Sequence, residues 1–417
     1  MNRTEEHVSS GTNSEERTDV RPGARSLVKR RSASAQSRHT AFLLASAGGM
    51  AVANVYYAQP LLDAISDDFG MAHWAIGIVI TVTQICYALG LMLLVPLGDL
   101  LNQRRLIITH MFLMAVALIA VGASPSGAVL LLGMAAVGFL AVVTQSLVAF
   151  AATITTPAER GRIIGLVTSG IVIGILLART VAGVLTDLAG WRSVYFVSAI
   201  FMLLMAAALV WALPHVERRQ TPLSYPQLIR SVFALFAQEP PLLIRGMLGL
   251  FIFTAFSSLW TSMVFPLTAP QHSLSHSAIG AFGLAGVAGA LAAAQAGRWA
   301  DRGLGQKTTG GALLLLLAAW VPLSFTEHSL WWLLVGVIVL DFAVQAVHVT
   351  NQSILLSVRP EARSRLTAAY MIFYSVGSAT GSIASTAIYA RVGWSGVCLL
   401  GAAVSALALL FWAVTRR

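Results

Sequence analysis

Four polar side chains in one apolar stretch carry the clearest chemistry of the chain. Gln345, His348 and Gln352 follow Asp341 at offsets of four, seven and eleven residues, which sets all four along one stripe of a helix. A carboxyl, an amide and an imidazole on one such face can take up and release a proton and hold a polar solute. Arg179 is the second feature, interrupting Gly174-Ile175-Leu176-Leu177-Ala178-Arg179-Thr180-Val181-Ala182-Gly183. A guanidinium there grips an anion or a buried carboxylate such as Asp341, or else lays its stem along apolar surface and keeps its head at a membrane interface. Ionisable groups inside a membrane span are costly and mark function by default. Asp341 and His348 are therefore expected to carry protons. Arg179 and Gln345 are candidates to hold a polar solute, with Gln145, Asn54, Tyr57, Gln84 and Trp260 as further polar and aromatic candidates within the apolar runs.

The elements that must position these groups are apolar helices. Hydrophobic residues make up 57% of the 417 and charged ones 11%, far from the balance of a soluble domain. The apolar residues gather in runs of about twenty, enough to cross a bilayer as helix. Twelve runs lie near 41–64, 75–97, 105–123, 128–152, 163–187 and 192–213, then near 245–268, 278–299, 308–325, 330–355, 366–390 and 394–414.

The second six echo the first at a spacing of about 203 residues. His73-Trp74-Ala75-Ile76-Gly77 returns as His276-Ser277-Ala278-Ile279-Gly280, Pro157 through Arg162 returns as Pro360 through Arg365, and Gly190-Trp191 returns as Gly393-Trp394. Such a repeat predicts an all-α integral membrane protein of twelve transmembrane helices in two six-helix bundles. Residues 1–39 are expected to be a disordered cytoplasmic tail, 40–214 and 245–417 the two bundles, and 215–244 a cytoplasmic linker with a short surface helix at 227–238.

A net charge of +10 would suggest nucleic acid in a soluble protein, but its distribution tells against that. Arg104, Arg105, Arg160, Arg162, Arg245, Arg298, Arg302, Arg363 and Arg365 are among the many cations at one side of the twelve runs, against Arg192 and Arg391 at the other. This asymmetry places both termini in the cytoplasm of a multi-pass inner-membrane protein, surrounded by lipid and expected to act as a monomer. Cys86 and Cys398 stand far apart in sequence and suggest neither a disulfide nor a metal site.

The loop after the second run reads Gly98-Asp99-Leu100-Leu101-Asn102-Gln103-Arg104-Arg105, and after the eighth Gly297-Arg298-Trp299-Ala300-Asp301-Arg302-Gly303-Leu304-Gly305-Gln306-Lys307. These loops resemble the Gly-x-x-x-Asp-Arg-x-Gly-Arg-Lys/Arg signature of the major facilitator superfamily. The second copy follows it closely; the first has Leu100 for Arg and Asn102 for Gly. Asn54-Val55-Tyr56-Tyr57-Ala58-Gln59-Pro60-Leu61-Leu62 looks like a bacterial drug/proton antiporter branch. The resemblance implies that spans one, four, seven and ten line a central cavity. It also implies a cytoplasmic gate, in which Asp99 latches the start of span eleven near Arg363 and Arg365, and Asp301 that of span five near Arg160 and Arg162. Arg104, Arg105 and Arg302 complete that gate. The sequence departs from the antiporters by placing Ala178 and Arg179 where Gly-Pro is usual, and Thr144 and Gln145 where an Arg is often found.

Together these readings give a secondary transporter that couples protons to the efflux of a small organic compound by alternating access. The alternative is uptake of an organic anion by proton symport, with Arg179 on the carboxylate. A membrane sensor without transport is the remaining class. Lys307-Thr308 lacks the glycine lead of a phosphate loop, no nucleophilic triad, zinc or haem constellation stands out, and neither enzyme activity nor a cofactor is expected.

Overall fold

The computed structural model describes residues 22–155, 159–214, 224–359 and 363–416; within these ranges the side chains of 22–38, Asp99, Arg160, Asp301 and Arg363, among others, lie outside the description. Among the described residues all regular structure is helical. The first half comprises α1 (Pro22–Tyr56), α2 (Leu62–Phe69), α3 (Ile78–Leu93), α4 (Leu97–Leu100), α5 (Gln103–Gly122), α6 (Gly127–Leu140), α7 (Val143–Ile154), α8 (Arg160–Ala189) and α9 (Trp191–Ala212). After α10 (Tyr225–Gln238), the second half comprises α11 (Pro240–Ser262), α12 (Val264–Thr268), α13 (His276–Ala281), α14 (Gly286–Asp301), α15 (Gly305–Ser324), α16 (Leu330–Val358), α17 (Arg363–Val392) and α18 (Trp394–Thr415).

Nine helical stretches among the described residues are long and apolar enough to cross a membrane. Helix also stands at the three other expected runs: α3, the α13–α14 pair, and α17, whose serines, threonines and glycines dilute its apolar character. Several runs are broken rather than continuous. A 3-10 turn at Gln59–Leu61 parts α1 from α2, and another at Phe282–Ala285 parts α13 from α14. Pro60 within the first turn lacks the N–H that a continuous helix would use. Two boundaries differ from the sequence reading. α1 begins at Pro22, inside the segment expected to be a disordered tail, because a proline suits the first turn of a helix and Ala, Arg, Leu and Lys carry it on. α11 begins at Pro240, ahead of the expected Arg245, again on a proline.

Large apolar side chains such as Trp211, Leu188 and Val414 point outward and are at least three-quarters exposed, as a lipid-facing surface requires. Inside, glycines let backbones touch. A Cβ on Gly49 would run into the Gly170 carbonyl and one on Gly174 into the Gly49 backbone, so α1 and α8 pack at the close range of small-residue membrane interfaces. The halves meet chiefly where α3 lies on α17 and where α8 lies on α13. One end of the molecule, here called the basic end, holds the α4–α5 and α14–α15 loops with exposed Arg105 and Arg302. The opposite end holds the α2–α3, α8–α9 and α12–α13 connections.

Candidate functional site: two buried charges on one indole

Arg179 lies on α8 where that helix meets the second half, and it is 2% exposed. Its Nε donates to Gln59 Oε1 at 2.8 Å. Gln59 is available for this bond because the chain there has left the α1 helix for the 3-10 turn. The guanidinium carbon stands 3.8 Å from the centroid of the Trp260 ring, with the Tyr56 and Phe256 rings at 5.1 and 5.6 Å. Stacking of this kind contributes about 2 kcal/mol when desolvated. The Arg179 head therefore points into the protein. It does not reach a membrane interface, because three aromatic faces and an amide outcompete that route.

Asp341 on α16 is 4% exposed. It accepts a hydrogen bond from Trp260 Nε1 at 3.1 Å on Oδ1. Gly286 borders its other oxygen: a Cβ there would stand 3.4 Å from Oδ2 and collide with Leu176. A direct Arg179–Asp341 pair, one of the alternatives left open by the sequence, is thus replaced by a three-part arrangement. One indole carries the cation on its face and the carboxylate on its edge. Two buried charges without direct contact are each costly in a low dielectric and sensitive to the other's state. Arg179 Nη2 finds no hydrogen-bond partner among the described residues. Beside it a cavity of about 10 Å³ is lined by Gln59, Trp260, Met263 and Ile279, on the scale of a single water molecule.

Toward the basic end the site continues as hydroxyls and amides. Tyr56 and Tyr374 share a 2.6 Å hydrogen bond across the two halves. Gln84, 2% exposed, lies by the Tyr374 hydroxyl, and Gln145 by that of Tyr87. Gln145 in turn lines a cavity of about 390 Å³ with Gln103, Ser146 and Thr367, within the size range of small-molecule sites.

Other expected site residues fall elsewhere. Asn54 is consumed by structure, donating to the Met50 carbonyl and accepting from Ser198 Oγ at 2.6 Å. Tyr57 lines a groove of about 380 Å³ between α1 and α8, bordered by the exposed Phe42, Ile173 and Leu177 and so turned toward lipid. Its position one residue from Tyr56 turns it about 100° around the helix, away from Arg179. Gln345 packs against Gly289, one turn from Asp341. His348 belongs to a separate group: its Nδ1 is 3.1 Å from the Tyr370 hydroxyl and its ring meets Phe253 edge-on. Asn351 and Arg245 adjoin that group. Arg245, a loop charge by its place in the sequence, is 5% exposed and donates to Thr309 Oγ1 and Asn351 Oδ1.

At the basic end, Asp99, Asp301, Arg160 and Arg363 lie outside the described side chains, and with them the gate expected there. Arg104 donates to the Val210 carbonyl, while Arg105, Arg162 and Arg302 are exposed and Arg365 is half-buried. Asn102, the departure in the first loop, serves locally, since its side chain accepts from Arg105 N at 3.1 Å and caps α5. Sequence reasoning missed Gln59, Tyr56, Phe256 and Tyr374 at the centre, and Asp63, Asp187 and His276 at the opposite end. Gln59 and Tyr56 stand within the Asn54–Leu62 segment, and His276 within a repeat match.

Two halves of helices long and apolar enough to cross a membrane, with charges buried where they meet, define a multi-helix protein of membrane type. The chain belongs to the major facilitator superfamily, whose family model matches residues 44–295 and again 246–417. It is 47% identical over 370 residues to the putative uncharacterized transporter YgaY of Escherichia coli (strain K12), covering 89% of this chain and 94% of that one. A multidrug resistance protein MdtG of Escherichia fergusonii is 25% identical over 375 residues, covering 86% and 90%. The crystal structure of a bacterial homolog to the human lysosomal transporter Spinster, inward-facing and occupied, superposes with a TM-score of 0.73 at 13% identity, covering 91% and 97%, a likeness of fold. The chain is accordingly a multi-pass transporter and not an enzyme.

Proposed function

We propose that this chain is a proton-coupled exporter of a small organic compound, working as a monomer in a bacterial inner membrane with its basic end and both termini in the cytoplasm. The observation that carries this reading is the burial of Asp341 and Arg179 on one Trp260 side chain at the meeting of the halves. Asp341 is the proton carrier. When ionised, its charge is offset by Arg179 across the indole; when protonated, Arg179 stands alone and the balance of the site changes. Cargo and proton then bind in alternation, and a membrane proton gradient drives cargo outward. The concentration of basic residues at one end supports the orientation, and the name of the MdtG relative supports organic compounds as cargo.

One observation favours a second reading, uptake of an organic anion together with a proton. Arg179 Nη2 has no hydrogen-bond partner among the described residues, and an anion held there would bind best when Asp341 is protonated, so the two would travel together. Everted membrane vesicles with an acidified lumen separate the two. A panel of organic dyes and drugs should yield a compound that accumulates in vesicles containing the protein, and collapse of the pH difference should release it. Accumulation indifferent to the pH difference would contradict proton coupling, and uptake of anions only, in right-side-out vesicles under an inward proton gradient, would establish the second reading.

A further inference from the structure

The end opposite the basic end is closed across the two halves by three titratable side chains. Asp187, near the end of α8, accepts from the backbone N–H of His276 at 3.1 Å and of Ser277 at 2.8 Å. Its Oδ1 is also 3.2 Å from His276 Nδ1, and the other ring nitrogen, Nε2, is 3.2 Å from Asp63 Oδ1 on α2. The imidazole of the second half is thus held between two carboxylates of the first. Close backbone contact backs this up: a Cβ on Gly183 would run into the His276 carbonyl, and one on Gly280 into the Arg179 carbonyl. Other hydrogen bonds across this end, among them Thr180 to the Gly280 carbonyl at 2.9 Å, Thr81 to the Ala379 carbonyl at 3.0 Å, Ser382 to the Gly77 carbonyl at 3.2 Å and Thr386 to the Trp74 carbonyl at 3.3 Å, are neutral.

We propose that Asp63, Asp187 and His276 form a proton-operated latch that holds the outer end shut while His276 is protonated and releases it when the proton leaves. Only the assignment of this end to the outside comes from the transport reading above. The geometry demands the proton. A neutral imidazole donates from one nitrogen and presents a lone pair at the other, so one of the two carboxylates would face a lone pair. An imidazolium donates to both. Side-chain exposures of 20% for His276, 14% for Asp63 and 27% for Asp187 leave the cluster within reach of water, so the proton can exchange with the outer solution.

Asp63 and Asp187 are the titratable groups that face the ring. The Gln59–Leu61 turn, α12 and the Phe282–Ala285 turn, which also pack on α13, contribute no titratable residue. The hydrogen bond to Asp63, with help from the Asp63 and Asp187 charges, holds the His276 pKa above its ordinary value. The sign follows from that shift. The closed end binds the proton more tightly than the open one, so closure is favoured below the ordinary histidine range and lost as pH rises through the raised value. Transport cycles would therefore open outward more readily as the exterior becomes less acidic.

The test is a distance measurement on the full chain in lipid nanodiscs. Spin labels at Asp67→Cys and Val392→Cys, with Cys86 and Cys398 replaced by serine, report the separation of the halves at this end. The wild-type background should be closed at pH 5.5, with the open-to-closed ratio rising by about tenfold by pH 8.5, the scale of one charge-assisted bond. His276→Gln should be open to a similar degree at both pH values. Asp63→Asn keeps the backbone bonds to Asp187 and should only lower the midpoint, which guards against a variant that fails to fold. In an Asp341→Asn background, where the carboxyl of the central site cannot titrate, a pH response should remain and should be lost on adding His276→Gln, so failure of the proton-carrier reading leaves the latch intact. A closed end at every pH in His276→Gln, or a pH response that survives His276→Gln in the Asp341→Asn background, would overturn the proposal.

Discussion

Asp341→Asn is expected to abolish proton-driven accumulation of cargo while leaving exchange of cargo down its own gradient measurable. Asparagine matches aspartic acid in shape and keeps the Oδ1 acceptor for the Trp260 N–H, now 3.1 Å away. It therefore reproduces the protonated carboxyl and cannot become the ionised one. The seat should survive, because Gly286 and Leu176 around the side chain meet the same volume. The expected loss in driven accumulation is complete, down to that of liposomes without protein, whereas equilibrium exchange should fall less than about tenfold, since the lost interaction is a change of charge state and not of packing. Driven and passive transport falling in parallel would instead mark Asp341 as a structural residue.

Arg179→Lys is expected to lose nearly as much transport as Arg179→Ala. Lysine keeps the charge but has neither an Nε–H at the position that meets Gln59 at 2.8 Å nor a planar group to lie on Trp260 at 3.8 Å. Each of those contacts is worth about 1.5–3 kcal/mol in a desolvated site. Losing both should lower initial transport rates by at least about tenfold. Gln59→Leu should fall between wild type and Arg179→Lys, because it removes the amide and leaves the stack. Initial rates at saturating cargo in proteoliposomes, normalised to protein that runs as a single species by gel filtration, are the check. Full activity in Arg179→Lys would show that the charge alone suffices and that the stacked geometry is incidental.

Much of the architecture was legible in the residues. Long apolar runs and the repeat of His73–Gly77 at His276–Gly280 fix two halves because span length and pseudo-symmetry are properties of local sequence. Asp341 and Arg179 stand out because a charge inside an apolar run needs a reason. Their relation does not show. Trp260 lies 81 residues from Asp341 and Gln59 lies 120 from Arg179, and no periodicity reports a partner at that range.

Helical phase helps in one place and fails in another. It puts Gln345 on the Asp341 side, yet the sequence points to Tyr57 where its neighbour Tyr56 faces the site. Arg245 reads as a topology charge because it stands near the end of an apolar run, and only packing against Thr309 and Asn351 reveals it as interior. A carboxylate latching the start of a helix across the halves is the expectation at the basic end, where the relevant side chains lie outside the description. An arrangement of that kind occurs at the other end, between Asp187 and His276.

Proton exchange on cargo binding is the most direct measure of the coupling assigned to Asp341. Purified protein in weakly buffered detergent, mixed with a saturating transported compound in the presence of a pH indicator, should release protons in the wild type and none in Asp341→Asn. Release near one proton per chain at a pH where Asp341 is protonated would fit exchange of cargo for that proton. Proton uptake on binding would mean cotransport with an anion. No proton movement in the wild type, or equal movement in wild type and Asp341→Asn, would contradict the claim that Asp341 couples the proton to the cargo.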